Sequence, residues 1–308
     1  MKVAFLGTSA FACPALEALA QAHDVRLVVT QPDRPAGRGK RLTAPPVKAL
    51  AARLGLRLAQ PVKVSSDEGV SALRDVSPDV IVVAAYGQIL RRAVFALPPL
   101  GTINIHASLL PRHRGAAPVH WAILRGDRET GVTTFLIDEG LDTGRILLER
   151  ALSIGGDETA GELHDRLAVL GAELIRETLD GVESGTIVPA PQPEAGVTLA
   201  PRLGRDDGRI DWAVPACEVH NRVRGTNPWP GAFTHLGRER LKVHRTALTG
   251  VRRGDFSSGS IALPETGRLL VAASDELVEL LEVQKESRPR MTGRDLLNGL
   301  RPIPERLG

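Results

Sequence analysis

Short apolar runs alternate with amphipathic stretches through the first half of the chain. Lys2–Gly7 and Asp79–Ala85 are continuous apolar runs, as in strands that are buried on both faces of a sheet. The intervening stretches repeat apolar positions at helical spacing, and Ser65-Ser66-Asp67 is typical of a helix N-cap. This β-α-β alternation predicts an α/β domain with a Rossmann-like, doubly wound parallel sheet. Further strands are predicted at Val25–Thr30, Thr102–Ile105 and Thr130–Ile137, and helices at Pro45–Leu54, Ala116–Leu124, Glu158–Leu179 and up to about Ala22.

The pattern changes at Thr186–Leu203, which contains four prolines and follows the last long helix. Beyond it, short strand candidates are separated by glycine and charged residues, and this pattern favours a small antiparallel OB-like β-barrel. We therefore predict a Rossmann-like domain at 1–185, a linker at 186–205 and a C-terminal barrel domain at 206–308. The C-terminal elements are predicted at Pro215–Val223 (a helix) and at Arg240–Val243, Gly259–Leu263, Leu269–Ala272 and Val278–Val283 (strands).

Composition excludes several classes, and the charge is uneven along the chain. The 308 residues are 43% hydrophobic and 24% charged, which excludes disordered, collagen-like and disulfide-scaffold proteins. Residues 1–200 carry a net charge of −1, whereas residues 201–308 carry +4. A basic C-terminal part favours an anionic partner such as nucleic acid, although a solvated Arg-rich surface would have the same charge.

We expect neither a signal peptide nor a membrane span, and the two cysteines have no spaced partner. Cys13 and Cys217 are isolated, so we expect neither a thiolate metal site nor a disulfide framework. The first apolar run is broken by Gly7, Thr8 and Ser9, which is typical of a strand and its turn rather than a signal peptide. The longest apolar run is shorter than the ~18 residues that a membrane span needs. We expect a cytoplasmic protein that does not bind membranes.

The turn after the first strand lacks the glycine pattern of a dinucleotide site. That pattern requires glycine at the third and sixth positions of the run that begins at Gly7, where this chain has Ser9 and Ala12. A nicotinamide cofactor is therefore disfavoured.

The densest group of polar side chains lies in residues 102–144. Asn104 and His106 are two residues apart at the end of a predicted strand, so both leave the same face, at the edge where doubly wound sheets bind ligands. Asp142 follows the next strand and could return to His106. An oxyanion donor, a proton acceptor and an orienting carboxylate suit transfer of an acyl group to an amine. Alternatively, Asn104, His106 and Asp142 have only structural roles in their loops.

A longer signature surrounds these residues. The order N-x-H-x-S-L-L-P-x-x-R-G-A-A-P from Asn104 to Pro118, followed by T-G-V-T and L-D-T-G, resembles the folate-dependent formyltransferase family. By this resemblance, Asn104, His106 and Asp142 match the catalytic trio. Folate would be held by residues that match the family's signature and pterin regions: Ser108, Leu109, Leu110, Pro111, Tyr86, Gly87, Gln88, Ile89, Asp138 and Gly140.

Other segments resemble the branch of the family that acts on an aminoacyl-tRNA. They are a basic insertion loop at 30–41, two segments at 208–212 and 227–231, and a final segment at 291–298. Arg91 departs from the family, which usually has proline there, and we expect it to alter only a turn. The resemblance implies 10-formyltetrahydrofolate as donor, methionyl initiator tRNA as acceptor, a role in translation initiation, no metal and a monomer.

The insertion loop concentrates positive charge. Arg34, Arg38, Lys40 and Arg41 lie within eight residues that also contain proline and glycine. Such a segment has little to bury and should be mobile when free, and its cations can follow phosphates or stack on unpaired bases. From the resemblance we expect these four side chains to contact tRNA; composition alone favours a solvated loop.

Three other functions are consistent with parts of the sequence. A formyltransferase for a small amine such as a sugar nucleotide would share the trio, but would not need the basic loop or the basic C-terminal domain. A nonenzymatic tRNA-binding protein would not need the trio and the folate signature. A nicotinamide dehydrogenase is disfavoured by the broken glycine pattern.

Overall fold

The computed structural model describes residues 1–36, 41–300 and 302–308, and these form two compact units. The predicted linker is divided between the units, since Leu199 ends the last segment of the first unit and Ala200 begins the last segment of the second. The first unit comprises Met1–Gly115, Thr130–Leu152 and His164–Leu199, and the second comprises Ala116–Glu129, Ser153–Leu163 and Ala200–Gly308.

Strands and helices alternate along the first part of the chain, as the apolar pattern predicts. In chain order the elements are β1 (Lys2–Gly7), α1 (Cys13–Ala22), β2 (Asp24–Val29), β3 (Arg34–Ala36), β4 (Arg41–Thr43), α2 (Pro46–Arg53), β5 (Leu58–Ala59), α3 (Asp67–Asp75), β6 (Val80–Ala84), α4 (Arg92–Phe95), β7 (Thr102–His106), α5 (Pro118–Leu124), β8 (Glu129–Leu136), β9 (Ile146–Ser153) and α6 (Ala160–Glu183).

The first unit is built on a seven-stranded sheet in the order β5-β2-β1-β6-β7-β8-β9. The strands from β5 to β7 are parallel, which confirms the predicted Rossmann-like sheet. The direction of β8 differs from the prediction, because β8 pairs with β7 in antiparallel register, with Asn104 opposite Phe135. A strand that is buried on both faces has a continuous apolar run in either direction, so the pattern of β8 did not reveal this.

The central strands of the sheet are buried and packed against helices. All five residues of β6 are buried, and so are five of the six residues of β1. Aliphatic side chains of these strands pack with Leu73 of α3 and Val94 of α4 in one core. Ser66 caps α3 as predicted, because its hydroxyl accepts from the Gly69 amide at 3.4 Å. Loops that leave this packed sheet therefore have a rigid base.

The flanks of the basic insertion loop form a short antiparallel hairpin that the sequence analysis did not predict. In it, β3 pairs with β4, and Arg34 lies opposite Thr43. The Arg34 side chain is exposed. Two of the predicted tRNA contacts, Arg38 and Lys40, lie outside the described residues, and only the backbone of Arg41 is described.

The C-terminal part forms an antiparallel half-barrel, as the short strand candidates predict. Its sheet has the order β10-β11-β14-β13-β12, and β15 pairs with β14. Buried aliphatic residues of these strands pack with Val219 and Val223 of helix α7. The elements are α7 (Ala216–Gly225), β10 (Ala232–Leu236), β11 (Glu239–Arg252), β12 (Ile261–Ala262), β13 (Leu270–Ala272), β14 (Glu276–Lys285), β15 (Met291–Thr292) and α8 (Gly293–Gly299).

None of the helices in the described part of the chain is long and apolar enough to cross a membrane.

Candidate active site

The carboxyl end of β7 and the loop after β8 bring together the predicted His-Asp pair. His106 is the last residue of β7, and its side chain is buried. Its Nδ1 lies 3.8 Å from Oδ2 of Asp142. The structure therefore places Asp142 close to His106, as the sequence predicts.

One ring nitrogen of His106 is occupied by the backbone. Nε2 lies 3.0 Å from the carbonyl oxygen of His113, and a carbonyl can only accept, so Nε2 carries the proton. Nδ1 then has a free lone pair and faces the Asp142 carboxylate. The Phe135 ring packs edge-on against the imidazole at a centroid distance of 6.3 Å. Nδ1 is thus the nitrogen that can take up a proton from a reacting group.

Asp142 is held by the turn that follows the Ser-Leu-Leu-Pro segment. Its Oδ2 accepts a hydrogen bond from the Gly115 amide at 2.7 Å. Its backbone has φ of 52°, in the left-handed region that residues other than glycine seldom adopt. The carboxylate is therefore fixed from both its side chain and its backbone.

Asn104 is two residues before His106 on the same strand and is partly buried. Its side-chain amide makes no hydrogen bond with any residue that the structure describes, whereas its backbone pairs with both neighbouring strands. An amide on this face, at the carboxyl edge of the sheet, can donate to the oxygen of a bound carbonyl group.

The segment Ser108–Pro111 is fixed by Thr133 on the neighbouring strand β8. The Leu110 amide donates to the Thr133 hydroxyl at 3.1 Å, and that hydroxyl donates to the Ser108 carbonyl at 2.7 Å. The Ser108 hydroxyl turns inward and donates to the Arg112 carbonyl at 2.6 Å. Thr133 also lies 3.1 Å from the Glu149 carboxylate, whose pKa is raised by burial. The predicted folate-binding segment is thus rigid, and its hydroxyl serves the loop itself.

The second predicted folate segment, residues 86–89, is also tightly held. The Tyr86 carbonyl accepts from the Thr8 hydroxyl and from the Gln31 amide, each at 2.8 Å. The Tyr86 ring is buried, and burial raises the pKa of its phenol to about 12. The Gln88 side chain bonds the backbone of residues 62 and 64. The Ile89 side chain is 90% exposed and is therefore the apolar group that this segment presents.

The third segment is a closed turn after β8. Asp138 Oδ1 accepts from the Gly140 amide at 3.0 Å and from the Thr143 hydroxyl at 2.7 Å. A Cβ on Gly140 would lie 1.9 Å from that hydroxyl oxygen, so only glycine fits the turn. The turn leaves Leu141 exposed next to Asp142.

Several residues that organise the site were missed by the sequence analysis. Gln192 and Thr198 lie in the predicted linker and hydrogen bond to the backbone of the site loops. Thr133 belongs to a motif that carried the resemblance, but no role was assigned to it. A glutamine between two prolines has no local signal for a long-range contact. Among the described residues, no group of three or more His, Cys, Asp or Glu side chains could hold a metal ion.

Two family models match the chain, one for each part of the architecture described above. The model for formyl transferase matches residues 1–179, and the model for the formyl transferase C-terminal domain matches residues 202–301. The chain therefore belongs to the formyl transferase family and is a formyl-transferring enzyme.

Relatives in this family match the chain from end to end. The methionyl-tRNA formyltransferase of Acidobacterium capsulatum is 49% identical over 100% of both chains. The methionyl-tRNA formyltransferase of Ruminiclostridium cellulolyticum is 45% identical over 97% of this chain and 96% of its own length.

Solved structures share the fold at lower identity. An N-formyltransferase from Helicobacter canadensis, solved with folinic acid and dTDP-3-aminofucose, has a TM-score of 0.70 at 18% identity and covers 92% of this chain and 99% of its own. A methionyl-tRNA formyltransferase from Clostridium thermocellum has a TM-score of 0.56 at 17% identity, with coverages of 81% and 94%. At such identities the likeness concerns the fold alone.

Proposed function

We propose that the protein transfers the formyl group of 10-formyltetrahydrofolate to the α-amino group of methionyl initiator tRNA, for translation initiation. One observation carries the chemistry: His106 commits Nε2 to a backbone carbonyl and keeps Nδ1 beside Asp142, and the strand that ends at His106 also carries the Asn104 amide. The relatives named above support the choice of acceptor, since they match both domains.

The three side chains divide the work of an acyl transfer. Nδ1 of His106 takes the proton of the amine as the new carbon–nitrogen bond forms, and returns it to the folate nitrogen as the old bond breaks. The Asn104 amide donates to the formyl oxygen while negative charge develops on it. Once Nδ1 is protonated, Asp142, whose Oδ2 lies 3.8 Å away, stabilises the imidazolium and favours the ring orientation in which Nδ1–H points at the carboxylate.

The fixed loops at the edge of the sheet support folate as the ligand. Ser108–Pro111 and residues 86–89 have fixed backbones, and Ile89 and Leu141 present apolar side chains to an aromatic ligand. We propose that these segments, with Asp138 and Gly140, hold the pterin and the adjoining part of the donor. The donor brings the activated formyl group, and we propose no role for a metal ion in the reaction.

The second domain and the insertion loop would bind the tRNA. Residues 201–308 carry a net charge of +4, which suits a polyanion. We propose residues 206–308 as the tRNA-binding domain, 1–185 as the catalytic domain and 186–205 as the segment that joins them. Arg34, Arg38, Lys40 and Arg41 would contact the acceptor end. We further propose that the protein acts as a monomer in the cytoplasm.

The proposal is tested by formyl transfer from labelled 10-formyltetrahydrofolate to three acceptors: methionyl initiator tRNA, a charged elongator tRNA and an amino-sugar nucleotide. We expect rapid transfer to the first, slower transfer to the second and background transfer to the third. Preferred formylation of the sugar nucleotide, or transfer to none of the three, would contradict the proposal. A gel shift with the same tRNA distinguishes binding without catalysis.

A further inference from the structure

Residues 186–199, which we name the connector, form backbone hydrogen bonds with the first unit at two places. Ala190 and Ile146 exchange two backbone hydrogen bonds of 2.8 and 2.9 Å. Further along, the Arg114 amide donates to the Thr198 carbonyl at 2.9 Å. The connector lies outside both family models, which end at residue 179 and resume at residue 202. It is nevertheless part of the first unit and forms backbone pairs with the site.

Gln192 uses its whole side-chain amide to join two of these loops. Its Nε2 donates to the Asp142 carbonyl at 2.7 Å and to the Gly144 carbonyl at 2.9 Å. Its Oε1 accepts from Nε of Arg114 at 3.1 Å and from a terminal nitrogen of the same guanidinium. The reversed amide would place donors against the guanidinium donors, so only one orientation satisfies every partner. Gln192 therefore fixes the backbone of Asp142 and ties it to Arg114.

Thr198 acts on the opposite side of the imidazole. Its Oγ1 accepts from the His113 amide at 2.8 Å, and the His113 carbonyl accepts from Nε2 of His106. His113 has φ of 57°, so its backbone needs support from its surroundings. The Thr198 hydroxyl supplies part of that support and thereby helps to aim the carbonyl that sets the His106 tautomer.

We propose that Gln192 and Thr198 are positioning residues for formyl transfer, through which the connector fixes both partners of His106. Gln192 places Asp142 on the Nδ1 side, and Thr198 places the His113 carbonyl on the Nε2 side. This rests on the proposed function, in which Nδ1 is the base. Neither residue touches a reacting atom, so both act on the rate of transfer rather than on binding of the substrates.

Single substitutions with matched controls test each arm. Gln192→Ala and Thr198→Val should lower kcat about 10-fold to 100-fold, the range for groups that orient a catalytic side chain, and leave both KM values nearly unchanged. Thr198→Ser keeps the hydroxyl and should restore most of the rate. Gln192→Glu keeps the contact with Arg114 but loses the donors, so it should remain as slow as Gln192→Ala. Glu194→Ala, at an exposed connector position, should behave as the parent.

A double-mutant cycle separates positioning from general damage. In an Asp142→Ala background, Gln192→Ala should add little to the loss of single-turnover rate, because both changes act through one carboxylate. If the rate losses of the two single variants instead multiplied in the double variant, Gln192 would act other than through Asp142, and the proposal for Gln192 would be overturned. The proposal would also be overturned if the substitutions changed only KM, or if Gln192→Ala and Thr198→Val both kept rates within a few-fold of the parent.

Hydrogen exchange gives a readout that does not depend on activity. The Gly115 amide donates to Asp142 at 2.7 Å, so Gln192→Ala should speed its exchange at least about 10-fold, while Glu194→Ala should not. If the parent transfers no formyl group, the proposed function fails, and this exchange still reports whether Gln192 places Asp142. Unchanged exchange in a folded Gln192→Ala protein would overturn the inference.

Discussion

Thr133→Val tests whether one hydroxyl holds the predicted folate-binding segment. Valine has nearly the shape of threonine, so the change removes the hydroxyl without opening a cavity. In the parent, this hydroxyl accepts from the Leu110 amide at 3.1 Å and donates to the Ser108 carbonyl at 2.7 Å. Thr133 and Ser108 are both fully buried, so water cannot easily replace the lost partner.

The expected cost follows from the two groups left without a partner. Each buried amide or carbonyl that loses its hydrogen bond costs about 1–3 kcal/mol, so the loss of partner for both groups should lower the free energy of unfolding by about 2–6 kcal/mol. Folate affinity should also fall, because the Ser108–Pro111 segment is no longer held in one conformation. Thr133→Ser keeps the hydroxyl and should lose much less stability.

Thr130 on the same strand supplies a matched control. It is also buried, and its hydroxyl has no hydrogen-bond partner among the described residues. Thr130→Val should therefore be neutral or stabilising. The assay is urea unfolding followed by far-UV circular dichroism, with amide exchange at Leu110 as a local readout. Equal unfolding free energies for Thr130→Val and Thr133→Val would refute the reasoning.

Three further changes test other parts of the account. Gly144→Ala should lower the melting temperature sharply, because the added Cβ would lie 1.6 Å from the Leu136 carbonyl oxygen. A Cβ added at Gly156 would have no described neighbour within 4 Å, so Gly156→Ala should leave the melting temperature nearly unchanged. Burial lowers the pKa of His220 below its ordinary value of 6.5, so the unfolded state takes up the proton first and stability is lost as the pH falls through 6.5. Unfolding midpoints from neutral to about pH 5 should therefore fall more steeply in the parent than in His220→Gln, and equal slopes would contradict this. Arg38→Ala should slow formylation of initiator tRNA more than that of an elongator, and Arg38→Lys should restore little of the rate. Equal losses of rate on both tRNAs would show that the loop contributes only nonspecific positive charge.

Several regular elements of the fold could be predicted because their signals are local. The apolar runs of β1 and β6 and the cap at Ser66 each depend on a few neighbouring residues, and the structure confirms them. The direction of β8 and the pairing of β3 with β4 depend on partners distant in the sequence. The two-residue strand β15 was missed because so short a segment has no periodicity to detect.

The same distinction applies to the site. Asn104 and His106 were predicted at the end of one strand, where the structure places them, and Asp142 lies near His106 because its loop follows the next strand. Gln192 was interpreted as part of a linker, because its prolines indicate an extended segment and nothing nearby indicates what the amide contacts. Long-range hydrogen bonds to backbone carbonyls leave no pattern in the sequence, since any residue supplies a carbonyl.

The most direct test of the central claim is single-turnover formylation of methionyl initiator tRNA by the parent, His106→Ala and Asn104→Ala. Loss of the base should slow transfer by about 10²–10⁴-fold. Loss of the oxyanion donor should slow it by about 10²–10³-fold. Folate and tRNA affinities, measured by equilibrium binding, should stay close to those of the parent in both variants. Transfer by either variant at a rate within a few-fold of the parent would contradict the assignment of that side chain to the chemical step.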